Sequence, residues 1–189
     1  GQEVVRELFQ RAWTENFDVS VHVIGDQAVH EVVECAREVS ASGIVGKLNL
    51  EHVQVLRPET LKLMKPLHLT CHLQPCHWLS DQAWLKSRLG SLYENAFPWE
   101  ALRKAGFNFQ FGSDSPIEKP SLTNNLKALR ESAEAGIRRL NEDPFQHHTF
   151  ASQQVPQGET HLIPNEENFF QVEKVFFDEQ LVYESTSEL

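Results

Sequence analysis

The sequence predicts an α/β fold, specifically the C-terminal half of a (β/α)8 barrel: four βα units with a small β hairpin or sandwich remnant at the C-terminus. Three observations predict it. Short strands of period two alternate with longer stretches of helical period, the order that yields a parallel sheet covered by helices. Each strand is polar on one face and apolar on the other, unlike the two-faced apolar strands of an open doubly wound sheet. And the 189 residues hold four such units, where a whole barrel takes eight strands and about 250 residues.

The elements follow in order. Residues 3–15 place Val4, Val5, Leu8, Phe9, Ala12 and Trp13 at helical spacing. A strand over about 17–24 alternates Val19, Val21 and Val23 with Ser20 and His22. After Gly25, a second helix carries Ala28, Val29, Val32, Val33, Ala36 and Val39 on one stripe, with Gly43 as its stop. A strand over about 47–51 leads into His52, and Pro58 opens a helix. Leu69, Cys71 and Leu73 alternate with Thr70, His72 and Gln74 as a third strand. Ser80 is the expected cap of a helix ending near Gly90. Pro98 and Gly106 bracket a short helix, Phe107, Phe109 and Phe111 mark the fourth strand, and a last helix covers about 121–139. Residues 1–140 thus read as the half barrel. Residues 141–168, rich in Gln, Glu, Pro, Asn and His, read as a polar irregular segment, and 169–189 as a hairpin turning at Asp178-Glu179, with a tail.

Composition narrows the function classes. The formal net charge is −10, and no cluster of Lys and Arg marks a nucleic-acid surface. No apolar run approaches the roughly 20 residues of a membrane helix, and no leader-like segment opens the chain. The three cysteines, Cys35, Cys71 and Cys76, have no scaffold-like spacing and read as reduced thiols of a cytoplasmic protein. The chain opens at Gly1 directly in a helical pattern. We therefore expect a cut or processed N-terminus and a fragment of a larger protein.

In such a barrel chemistry sits at the C-terminal ends of the strands. His22, within VSVHVIGD, His52, within LNLEHVQVL, and Asp114, within FQFGSDSP, occupy such ends. Two imidazoles and a carboxylate at one mouth suit zinc or a similar divalent ion. Each has a plainer reading as well. A strand-end histidine serves equally as a hydrogen-bonded polar residue, and Asp114 in G-S-D-S-P as a turn or cap residue. Alternation supports His22, opposite the valines. It opposes His52, which shares parity with Leu48 and Leu50 and would need the strand to end or bulge before it. Asp26 reads either as a helix cap or as a group supporting the site. Cys71, His72, Cys76 and His77 in CHLQPCH imitate a small zinc site, but Cys71 and His72 fall on opposite strand faces. Gln74-Pro75 instead shapes the mouth, with His72, Gln74 and His77 near substrate. Trp78 and Trp84 read as packing.

The ordered set H-x-I-G-D, E-H, Q-P and G-S-D-x-P, in VHVIGDQAV, EHVQVLRPETLKLMKPLHLTCHLQPCHWLSDQAWLKSRLG and FGSDSPIEKPS, resembles the amidohydrolase superfamily. The nearest branch is amidohydrolase family 3, with N-substituted formamide deformylase and relatives of N-acyl-amino-acid deacylases. The resemblance covers roughly residues 1–130, with a weaker echo in VEKVFFDEQLVYE. It implies that His22 and His52 are metal ligands after the fifth and sixth barrel strands, and that Asp114 is both ligand and proton-transfer group after the eighth. It implies one or two divalent ions, zinc the expected metal, and hydrolysis of a carbon–nitrogen bond in an amide-like, non-peptide small molecule. The family's H-x-H pair and bridging lysine have no counterpart here. His147 and His148 are adjacent and lie in the polar stretch. Metal is therefore expected to be substoichiometric and the isolated chain inactive, with the missing N-terminal half or another copy as partner. Two departures bear on the accessory sheet: the stretch around 141–165, and Glu179 where the family's turn has glycine. The competing reading is a non-catalytic half barrel, or degenerate relative, serving binding or assembly.

Overall fold

In the computed structural model, which describes residues 1–134, 158–164 and 170–184, four parallel strands lie side by side in chain order. They are β1 (Val19–Val23), β2 (Leu48–His52), β3 (Leu69–Leu73) and β4 (Asn108–Phe111). Helices α1 (Gln2–Thr14), α2 (Asp26–Ala41), α3 (Pro58–Met64), α4 (Cys76–Leu89), α5 (Trp99–Lys104) and α6 (Leu122–Glu134) precede, join and follow them, and a 3₁₀ turn spans Gly90–Asn95. Neighbouring parallel strands joined through helices make a mixed α/β sheet of the kind that forms part of a (β/α) barrel.

Register sorts the side chains. Ser20, Asn49, Thr70 and Asn108 form one rank across the sheet, and His22, Glu51, His72 and Gln110 the next. Both ranks lie on the polar face anticipated from alternation. Behind them Val23, Leu48, Leu50, Cys71, Leu73, Phe109 and Phe111 are buried in one core with Val29, Val33, Ala36 and Val39 of α2 and Trp78, Leu85, Leu102 and Leu129. A buried Val, Leu or Phe of this kind contributes about 1.5–3 kcal/mol. Ala28 departs from the expected stripe and is exposed, and Cys35 is buried in its stead. On α1 only Phe9 and Trp13 are buried; Val4 and Leu8 are exposed. Trp78 is core, whereas Trp84 is partly exposed.

Boundaries shift by a residue or two, with one larger correction. Helix α4 starts at Cys76, not after Ser80. Pro75 already has helical dihedrals, φ −57° and ψ −35°, so the helix begins as soon as β3 ends. Ser80 sits within it and donates to Glu118 Oε1 at 2.5 Å. Asp26 is no side-chain cap of α2; it pairs with Arg57, the residue before α3. The last helix is described to Glu134, so 135–139 and His147-His148 lie outside the described residues.

The chain divides into two compact units, Gly1–His148 and Thr149–Leu189. The second is an antiparallel sheet of β5 (Gly158–Pro164), β6 (Phe170–Phe177) and β7 (Gln180–Glu184). The β6–β7 hairpin turns at Asp178-Glu179, where the sequence places it. Strand β5 is a correction, because 158–164 falls in the stretch read as irregular. Its pairing with β6 is bulged between His161 and Leu162. Strand formation here depends on the cross-strand partner, which local composition does not display.

Candidate metal centre

The site is built at the C-terminal ends of β2, β3 and β4. His52 closes β2 and sits at φ 75°, followed by Val53 at φ 46°. Val53 N–H donates to Glu51 O at 3.1 Å and to Val23 O at 2.9 Å. The first bond closes a three-residue turn about His52, the rarer hand of γ-turn, whose central φ lies near +75°. This turn resolves the parity conflict: the strand ends in a left-handed residue, and His52 leaves the helix-facing set. Left-handed conformations of bulky residues cost of order 1–3 kcal/mol and gather at functional sites. Asp114 is a second instance, at φ 59°.

His52, His77 and Asp114 converge, each offering one ligand atom, with all three atoms within 4.8 Å of one another. His52 is buried at 6 % exposure and His77 at 9 %; the Asp114 side chain is 34 % exposed and faces His77 Nε2 at 3.8 Å. The His22 ring lies edge-on to His52 at 4.4 Å between centroids, and His77 stacks over His52 at 5.8 Å. His22 thus adjoins the cluster from β1, while His77, expected only near substrate, joins His52 and Asp114. The earlier start of α4 puts His77 in its first turn.

Two buried nitrogens, His52 Nδ1 and His77 Nε2, have no hydrogen-bond partner among the described residues. Buried polar atoms are nearly always paired, so two such imidazole nitrogens beside a carboxylate fit the donor set of a divalent cation. Burial holds His52 below the usual histidine value; the Asp114 carboxylate opposes this, and His22 and His77 add to the lowering. His52 is therefore neutral near pH 7, the form that ligates metal. At His77, Gln54 Nε2 donates to Nδ1 at 3.1 Å. Presenting the Nε2 lone pair to an ion requires Gln54 to turn its amide so that Oε1 accepts from Nδ1–H. Gln54 also reaches Asp81 Oδ2 at 3.5 Å, and burial raises the Asp81 carboxyl, against the opposing effects of His77 and Gln54.

His72 and Gln74 lie elsewhere in the mouth. His72, on the polar face of β3, contacts Glu51 Oε1 through Nδ1 at 2.8 Å. Gln74 is buried and donates from Nε2 to His72 O at 3.1 Å. Among the described residues CHLQPCH forms no metal cluster of its own: Cys71 is in the core, and Cys76 Sγ donates to Ser113 O at 3.8 Å. Sequence reasoning missed Glu51, Gln54 and Asp81. Only Glu51 left a signal, as a carboxylate on the polar rank of its strand.

Residues 1–140 match the model of the amidohydrolase family. The chain belongs to the amidohydrolase family. A curated relative, YtcJ of Bacillus subtilis (strain 168), named as an amidohydrolase, is 32 % identical over 135 residues, covering 69 % of this chain and 25 % of the relative. An uncharacterized metal-dependent hydrolase from Pyrococcus furiosus superposes with a TM-score of 0.55 at 26 % identity, covering 78 % of this chain and 29 % of that one. Its counterpart from Pyrococcus horikoshii OT3 reaches 0.58 at 24 % identity, covering 73 % and 27 %. This amidohydrolase chain therefore spans about a quarter of the length of these relatives. Among its described residues no helix is long and apolar enough to cross a membrane.

Proposed function

We propose that this chain carries metal-binding and proton-transfer residues of a hydrolase that cleaves a carbon–nitrogen bond in an amide-like, non-peptide small molecule. The observation that carries the reading is the convergence of His52, His77 and Asp114, where two buried imidazole nitrogens lack a hydrogen bond among the described residues. His52, Asp114 and the adjoining His22 would hold a divalent ion, zinc by ligand chemistry, with His77 as a further donor. Such an ion supplies Lewis-acid polarisation of a carbonyl and acidifies water. Asp114, half open to solvent, takes the proton from the attacking water and returns it to the leaving nitrogen. Glu51 fixes the His72 ring, and His72 with Gln74 and His77 lines the mouth where substrate is oriented.

The rest of the wall is supplied by a companion, either more of such a barrel or another copy of this chain. The exposed Val4 and Leu8 on α1 and the exposed His22 on the polar face support this reading. A cytoplasmic location accords with the three free cysteines.

The test is titration of the purified chain with Co²⁺ followed by visible absorption, with Zn²⁺ competition. The chain as purified is expected to hold less than one ion, and titration to fill one weak site per chain, displaced by Zn²⁺ and abolished in His52→Ala. Absence of binding at millimolar Co²⁺ overturns the metal reading.

A further inference from the structure

We propose that Asn125 is a positioning residue for this centre: its buried amide brackets the two segments that carry His77 and Asp114. The inference rests on the metal reading above only for its consequence, not for its geometry. Asn125 lies on α6 at 3 % exposure. Its Oδ1 accepts from Cys76 N–H at 3.0 Å, and its Nδ2 donates to Gly112 O at 3.0 Å. Cys76 immediately precedes His77, and Gly112 stands two residues before Asp114.

The first bond has a particular origin. The opening N–H groups of a helix have no partner within it, and a side chain at the N-cap normally satisfies one. Helix α4 has Pro75 there and no local side-chain cap. Asn125, 49 residues further along the chain, takes that role from another helix. Its own placement is fixed, because Ser121 caps α6: Asn124 N–H donates to Ser121 Oγ and Asn125 N–H to Ser121 O, both at 3.2 Å. Cys76 Sγ–H to Ser113 O, and Gly112 N–H to Leu73 O at 2.8 Å, join the same two segments. A primary amide is the side chain that donates and accepts in one plane. Aspartate retains only the acceptor, and leucine neither.

The helix start that aims His77 and the loop that holds Asp114 at φ 59° therefore share one buried amide. Losing it lets the two ligands drift apart without removing either. The experiment compares Asn125→Leu and Asn125→Asp with Leu129→Ala, which opens a cavity under the same helix and removes none of these hydrogen bonds. In Co²⁺ titration, Asn125→Leu is expected to weaken binding roughly 10–100-fold, the range for losing a group that orients a ligand. Asn125→Asp, which keeps the bond to Cys76, falls between. Leu129→Ala lowers the melting temperature at least as much and leaves affinity within about threefold. Wild-type affinity in Asn125→Leu, or equal weakening in Leu129→Ala, overturns the proposal. A second readout needs no metal: amide exchange and chemical shifts at Cys76, His77, Ser113 and Asp114 change in Asn125→Leu and not in Leu129→Ala. If the wild-type chain binds no Co²⁺, the metal reading fails, and the exchange data alone then sustain or overturn the bracket.

Discussion

Glu51 and His72 face each other across β2 and β3, with Glu51 Oε1 2.8 Å from His72 Nδ1. A carboxylate only accepts, so Nδ1 carries a proton, and in its neutral form the ring keeps the Nε2 lone pair. The pair lies on the same rank as His22. Sequence alternation places His22 and His72 on the polar face, and the strand register adds Glu51.

This relationship makes a spectroscopic prediction. In ¹⁵N correlation spectra above the imidazole titration, His72 should show the Nδ1–H tautomer in the wild type. Glu51→Gln, whose amide oxygen still accepts, should preserve it. Glu51→Leu should release the ring to the mixture of an exposed histidine. A wild-type His72 in the Nε2–H form would refute the pairing.

The cysteines should resist alkylation while the chain is folded. Burial pushes the Cys71 thiol up to about 12, with the Glu51 charge adding to it. Burial likewise raises Cys76 to about 11, chiefly by desolvation, with Glu118 next. A pKa of 12 leaves about one thiolate in 10⁴ at pH 8, and only the thiolate reacts or ligates zinc. All three side chains are at most 2 % exposed. Iodoacetamide with mass spectrometry should find them unmodified under native conditions and fully labelled in urea. Rapid native labelling of Cys71 would contradict its place in the core.

Gly46 should not tolerate a side chain. A Cβ there would lie 2.2 Å from Trp13 Cδ1, and Trp13 is held by its own bond from Nε1 to Lys47 O at 3.3 Å. Gly46→Ala is therefore expected to destabilise by about 1–3 kcal/mol, the usual range for overpacking, read as a lower urea midpoint. An unchanged midpoint would mean that α1 does not pack there.

The terminal hairpin carries the opposite case. Asp178 and Glu179 sit at φ 47° and φ 63°, the pair of left-handed residues that a type I′ turn demands. Glu179→Gly should raise the hairpin's stability by about 1 kcal/mol, because a side chain at such a φ is strained. Thermal melting of the full chain, with ¹H–¹⁵N spectra assigning the transition to β6 and β7, would detect it; a loss of stability would exclude the I′ geometry.

Legibility followed the range of the interaction. Period-two alternation in β1, β3 and β4 depends on neighbouring residues alone, so the polar ranks with His22, His72 and Gln110 were readable. His52 was not placed by parity, because one left-handed residue changes where a side chain points and no local pattern announces it. His77 was displaced toward substrate because Ser80 offered a conventional cap, while the working cap of α4 comes from another helix. The strand Gly158–Pro164 was hidden for a similar reason, since its partner β6 creates it.

By itself the sequence determined the order of the βα units, the polar face of their sheet, and the membership of His52 and Asp114 among strand-end candidates. The tertiary structure alone decided which of these meet. It brings His77 to Asp114 and His22 to His52, and it spans 49 residues to tie Cys76 to Asn125. The physical reason is that periodicity reports which face a residue occupies. Convergence of ligands depends on single backbone angles, such as φ 75° at His52, and on hydrogen bonds between segments that no local propensity encodes.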